Sequence, residues 1–287
     1  MKTSLKTELG KRGRSHFLHL LPAMLIGLLG FNWITPAHAE NVDSEILLLV
    51  DITRPGLNQN QFDRLMDGYA DAFTSADVME SIQSGAYGRI AVSMMFFGEA
   101  STQVVGIPWM SIGNATEALQ FASLTQSVIR PFQNSDSNIA AAIAAATLKF
   151  GIETGGPSNG FESVVQVVEV ASAFAPSAGD AAAARDASEA SLDAGVDLIN
   201  SLALGSGSRV RAIDEFYTSN VVGSSIEGVE AVSRDSQINS GLTTAMNGLL
   251  AETVQTGATV AVTTVPEPST MLSLLPATLL LLKRRRR

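Results

Sequence analysis

Cysteine is absent from the sequence, and the three histidines, His16, His19 and His38, all precede residue 40. The first absence removes disulfides, thiolate chemistry and Cys-ligated metal. The second removes Ser-His-Asp and Cys-His catalysis and histidine-ligated zinc from everything that follows residue 40. Lysine is nearly as scarce. Lys149 is the only lysine between residues 40 and 265. It follows an apolar stripe near a predicted helix end, where a lysine reads as a solvated C-terminal charge rather than a base. Hydrolysis is therefore a distant third among the functional classes, and a non-enzymatic protein is expected. Positive charge as a whole is sparse. Nine of the 19 Lys and Arg but 26 of the 28 Asp and Glu fall within residues 40–265, which leaves that stretch near −17. Such a surface argues against nucleic acid or anionic membrane as a partner. It is compatible with divalent cations, and solubility alone is a sufficient reason for it.

What is present begins at the two ends. Lys2, Lys6, Lys11, Arg12 and Arg14 open the chain, an apolar segment covers residues 17–34, and Ala37-His38-Ala39 follows. This is the pattern of a secretory signal peptide spanning residues 1–39, with cleavage between Ala39 and Glu40; an uncleaved N-terminal anchor is the alternative. The other end reads Pro266-Glu267-Pro268, then an apolar segment at 271–282, then Lys283 and four arginines. These three parts resemble the Pro-Glu-Pro C-terminal sorting signal of Gram-negative bacteria. The resemblance implies an exosortase-type membrane enzyme as a partner and delivery to the cell envelope, outer surface or extracellular matrix. The apolar segment is shorter than the roughly 20 residues of a membrane span, and Pro276 interrupts it. Transient membrane association through the tail is expected, with the basic cluster at the cytoplasmic face. An ordinary C-terminal anchor is the alternative.

Between the signals, periodicity sets the elements. Ile46-Leu47-Leu48-Leu49-Val50 runs without alternation into Asp51, as a strand buried on both faces does. Residues 60–76 place Phe62, Leu65, Met66, Tyr69 and Phe73 on one helical stripe, away from Asp63, Arg64, Asp67 and Asp71. Strands are predicted at 89–97, 102–109, 164–170, 196–204 and 226–232. Helices are predicted at 114–128, 137–150, 180–194, 212–218 and 237–254. The strand at 102–109 follows its predecessor closely enough to form an antiparallel hairpin, and Pro108, which cannot donate to a ladder, assigns it to an edge. Gly195 is well placed to end the helix before it. Residues 256–265 show little periodicity and read as a linker. Alternating strands and helices predict an α/β, Rossmann-like, doubly wound domain over residues 40–255. Its central sheet should be mostly parallel, with one antiparallel edge strand and helices on both faces. Asp51 would then stand at the carboxyl edge, where open α/β sheets place ligand sites. The Asn114-Ala115-Thr116 sequon is expected by chance in a bacterial chain.

The element order, with Leu47-Leu48-Leu49-Val50-Asp51-Ile52-Thr53, Asp67-Gly68-Tyr69, Gly88-Arg89-Ile90-Ala91-Val92, Pro108-Trp109, Arg185-Asp186-Ala187, the run Gly195 to Asn200 and the run Tyr217 to Gly223, resembles the von Willebrand factor type A superfamily. It is most similar to a bacterial subgroup of unassigned function. The resemblance implies a metal-ion-dependent adhesion site. That site needs an Asp-x-Ser-x-Ser loop, a Thr from a second loop and an Asp from a third, and it holds Mg²⁺ or another divalent cation. Asp51 matches the first Asp, Thr53 the first Ser, Ser137 the Thr and Glu169 the third-loop Asp. Pro55 falls on the second Ser and supplies no side-chain oxygen. Asp136, beside Ser137, is a further oxygen source. One ligand is lost and one lengthened, so the resemblance implies a degenerate metal site, because Mg²⁺ demands near-ideal oxygen geometry. The function implied is an exported, non-enzymatic binding or adhesion module whose partner is protein or exopolysaccharide in the matrix. The alternative is a structural matrix or surface protein with no working metal site.

Overall fold

The computed structural model describes residues 39–265 other than 55, 133–135 and 175. Residues 1–38 of the leader, the sorting signal and Pro55 therefore lie outside the described residues. The first strand, β1 (Glu40–Asp51), is the central one. Its alternate residues face opposite ways, as the pleat requires. Ile46, Leu48 and Val50 enter one core layer, while Leu47 and Leu49 enter the other. A helix cover on both faces explains why the run lacks polar alternation.

Two helices follow, α1 (Gln59–Phe73) and α2 (Ala76–Gln83), where the sequence pattern gave one through residue 76. The break is local chemistry. Ser75 caps α2 through a bond from the Val78 N–H, and the Thr74 and Ser75 hydroxyls donate to Ala70 O and Ala72 O at the end of α1. Asn58 and Gln61 close the start of α1 with a reciprocal capping box. The predicted stripe Phe62, Leu65, Met66, Tyr69 and Phe73 is fully inward.

Strands β2 (Ile90–Phe97) and β3 (Gln103–Ile112) form the antiparallel hairpin, and β3 lies at the edge as Pro108 requires. Next come α3 (Ala115–Ser127), α4 (Ile139–Thr147), β4 (Phe161–Ser172), α5 (Ala181–Asp193), β5 (Leu198–Gly205) and α6 (Ser208–Asn220). Two short strands, β6 (Gly223–Ser224) and β7 (Ser233–Gln237), share the outer edge of β5 before the final helix α7 (Leu242–Thr264).

The sheet order is β3-β2-β1-β4-β5-β6, with β7 beside β5. Pairings β1–β2, β1–β4, β4–β5 and β5–β7 are parallel. The doubly wound, mostly parallel α/β architecture is thus the one the sequence implies. It carries a second antiparallel pairing, between β5 and β6. One layer packs under α1, α3 and α7, the other under α4, α5 and α6.

Two readings of the sequence are corrected. Residues 226–232 are not a strand. Ile226, Val229, Ala231 and Val232 are only half-buried against the core, and the strand that pairs with β5 is the polar β7 that follows them. Residues 256–265 are not a linker, because α7 continues through Thr264. Its last turns bury Gly257, Ala258 and Ala261, small residues that let the helix sit close on β1. A side chain at Gly257 would meet Ser44 Oγ at 2.7 Å.

Candidate functional site

The chain winds outward from β1 in both directions, so β1 and β4 are neighbours whose following loops diverge. The crevice beyond their carboxyl ends is the switch point at which such sheets hold ligands. Three chain segments meet there. β1 delivers Asp51, its last residue. β4 delivers Ser172, its own last residue, in register one place beyond the Val50–Ala171 pair. The segment before α4 delivers Ser137. It is fixed by Asn138, whose N–H donates to Gly98 O at the end of β2 (2.8 Å) and whose side chain caps Ala141 N (2.9 Å).

Asp51 is buried, and both carboxylate oxygens are taken. Oδ1 accepts from Thr53 N (3.0 Å) and Thr53 Oγ1 (2.8 Å). Oδ2 accepts from Ser137 Oγ (2.8 Å) and Ser172 Oγ (2.8 Å). The Ser172 oxygen in turn accepts from Phe174 N (3.0 Å), which ties the loop after β4 into the same set. Burial pushes the Asp51 carboxyl above its ordinary range, and the Thr53, Ser172 and Ser137 donors oppose that rise. Tyr217, from α6, is buried next to this set. Its hydroxyl is pushed upward by burial and by the charge of Asp51.

A cation also stands at this rim. Arg130 is buried and donates through Nη2 to Ile52 O, while its guanidinium lies 5.9 Å from the Phe62 ring centre. Its Nε and Nη1 atoms are buried without a partner. Burial and the neighbouring Arg54 pull its pKa down, and Asp51 partly offsets them. Beside the rim, Gly56, Gln61, Ala173, Ser206 and Arg209 line a cleft of about 120 Å³.

Three of the four expected metal ligands, Asp51, Thr53 and Ser137, therefore come together. Glu169 does not. β4 runs three residues past it, so Glu169 sits within the sheet rather than in the loop. Its Oε2 accepts from Thr253 Oγ1 of α7 at 3.3 Å, and its Oε1 has no partner. Thr253 is itself held by Asn200 Nδ2 (2.9 Å), and the nearby Tyr69 hydroxyl is also unpartnered. Burial pushes the Glu169 carboxyl up to about 8, the value of a group kept neutral. The residues that the sequence reading missed are Ser172 and Arg130. Ser172 was hidden because Ala171-Ser172-Ala173 looks like an unremarkable strand end. Arg130 is a lone charge after the apolar pair Val128-Ile129, and that contrast was the available signal.

The donor set tests the implied ion. It is all oxygen, which suits a hard cation. Yet it holds one carboxylate, and no group of three or more His, Cys, Asp or Glu among the described residues could hold a metal. The hydroxyls of Ser137 and Ser172 are directed at Asp51 rather than at a shared vacancy, and Arg130 and Arg54 add positive charge beside it. These residues fit a divalent cation poorly.

Fold and rim together define a doubly wound α/β domain with a polar, carboxylate-centred crevice at its switch point. The family profile described as "Protein of unknown function (DUF1194)" matches residues 41–240, and the chain belongs to that family. No curated protein matches the chain. Among solved structures, it is similar to proximal thread matrix protein 1 from the mussel byssus. The identity there is 13%, the TM-score is 0.45, and the match covers 75% of this chain and 46% of that one. The chain thus spans about half the length of that relative. It is also similar to a von Willebrand factor type A protein from Catenulispora acidiphila (10% identity, TM-score 0.40, 77% of this chain and 43% of that one). The pilus adhesin SpaC from Lactobacillus rhamnosus GG gives 11% identity and a TM-score of 0.47 over 77% of this chain and 31% of that one.

Proposed function

We propose that this protein is an exported, non-enzymatic binding and adhesion module. In this reading it is delivered to the cell envelope or extracellular matrix of a Gram-negative bacterium by an exosortase acting at Pro266, Glu267 and Pro268. There it engages protein or exopolysaccharide through the rim around Asp51, and its metal site is degenerate. The observation that carries the reading is the convergence of the segments after β1, after β4 and before α4 on one carboxylate at the switch point. The exposed groups around it, Arg54 and Asp136, are the ones a partner would meet first. No helix among the described residues is long and apolar enough to cross a membrane.

The test is retention of the purified protein on isolated biofilm matrix, with exposed rim substitutions Arg54→Glu and Asp136→Lys. Retention that falls with either substitution and ignores a chelator supports the reading. Retention unchanged by both sinks the rim as the binding face. One observation favours a second reading, a structural matrix protein that acts through other surfaces. The Asp51 oxygens are already satisfied from within the chain, which leaves little for a partner to take. In that case deletion of residues 266–287 mislocalises the protein, while Arg54→Glu leaves its behaviour unchanged.

A further inference from the structure

The β3 edge of the sheet presents a different surface. Among the described residues β3 is paired with β2 on one side and with no strand on the other. A free edge is a row of unpaired N–H and C=O groups, and soluble proteins commonly blunt it with charge. Here there is almost none, because residues 103–129 contain a single charged residue, Glu117. Several exposed side chains there are instead apolar, set among neutral polar ones such as Gln120, Ser123 and Ser127. Val104 and Val105 are each 41% exposed, Leu124 is 45% and Ile129 is 88%. Beside Leu124 lies a recess of about 240 Å³ lined by Gly106, Ile107, Pro108, Leu124, Ser127 and Val128, with Ile129 standing at its margin. Gly106 helps to form the recess, because a side chain there would strike the Phe96 ring at 2.2 Å.

We infer that this face is where two copies of the chain associate, β3 edge to β3 edge about a two-fold axis, with Ile129 of each copy entering the recess of the other. Three features select a second copy over another occupant. A projecting residue and a recess lie on the same patch, which is the self-complementarity a two-fold interface needs. An antiparallel edge brought against itself satisfies both rows of backbone groups at once. Residues 40–265 carry a charge near −17, so two copies repel each other least where the surface is uncharged. A charged partner would find nothing ionic to hold there. Pro108 has no N–H to give and the register of β3 shifts at Gly106, so the shared ladder falls on Gln103 to Val105.

The chain lacks cysteine, which makes the test direct. Sedimentation velocity of the purified protein across a wide concentration range should show a mass that moves from one chain to two. Val105→Asp and Ile129→Asp, at exposed positions, should hold the protein monomeric with the thermal midpoint of the dilute, monomeric parent. Val105→Cys, which introduces the sole thiol, should form a covalent dimer on mild oxidation. Leu148→Cys, exposed at the end of α4 on another face, should not. The inference is overturned by a protein that stays monomeric throughout, by self-association that both aspartate substitutions leave intact, or by equal cross-linking of the two cysteine variants. This test reads self-association and the rim test reads retention on matrix, so the two proposals fail separately.

Discussion

Replacing Glu169 with glutamine is expected to stabilise the protein at neutral pH, although it alters a fully buried side chain. The carboxyl has an ordinary value of 4.5 and is raised to about 8 in the fold, chiefly by burial. Its Oε1 finds no donor, and the only bond that favours the charged form is the 3.3 Å contact from Thr253. The unfolded chain therefore releases a proton above pH 4.5 that the folded chain keeps until about pH 8. Stability attributable to this group is intact below pH 4.5, declines as pH rises through the interval, and levels off above about 8. At 1.36 kcal/mol per pH unit, the loss by pH 7 is about 3 kcal/mol, and at pH 5 it is below about 1 kcal/mol. A glutamine has no proton to lose, still offers an oxygen to Thr253, and turns an N–H toward the unpartnered side of the cluster. Urea unfolding of both proteins at several pH values measures the difference directly. The glutamine variant should gain little at pH 5 and about 3 kcal/mol at pH 7. Glu45, raised to about 7 by burial, adds its own slope to both proteins, so only the difference between them isolates Glu169. A variant that is less stable than the parent at pH 7, or a difference that does not grow with pH, would refute the account of Glu169 as a neutral buried acid.

Asp51→Ala should destabilise by about 3–5 kcal/mol in chemical denaturation, because Thr53 N–H and the hydroxyls of Thr53, Ser137 and Ser172 lose their acceptor together. Asp51→Asn keeps the shape and should cost about 1–2 kcal/mol, since hydroxyls can rotate to accept from the amide. Gly156→Ala should lose several kcal/mol or fail to fold. A Cβ there would lie 2.0 Å from Leu148 O, a backbone atom that cannot step aside. Mg²⁺, Mn²⁺ or a chelator should leave the thermal midpoint unmoved, as the poor fit of the rim predicts. A midpoint that rises with metal in the parent but not in Asp51→Asn would restore the ion to the site.

The amino-acid sequence by itself determined the architecture, because the physical causes are local and short-ranged. The unbroken run from Ile46 to Val50 matches a strand covered on both faces. The stripe from Phe62 to Phe73 has one helical solution, and Pro108 assigned β3 to an edge. It also brought Asp51 into consideration, since a carboxylate ending a buried strand points to the carboxyl rim, while Thr53 and Ser137 were reached only through the resemblance to the type A site. Tertiary structure alone decided the fourth member. Where β4 stops depends on its parallel register with β1, which carries it to Ser172 and leaves Glu169 within the sheet under α7. Only packing showed that 256–264 remain helical, because glycine and alanine there have no periodic signal until β1 lies beneath them. Likewise, the approach of Arg130 to Ile52 spans 78 residues, and no spacing rule reaches that far.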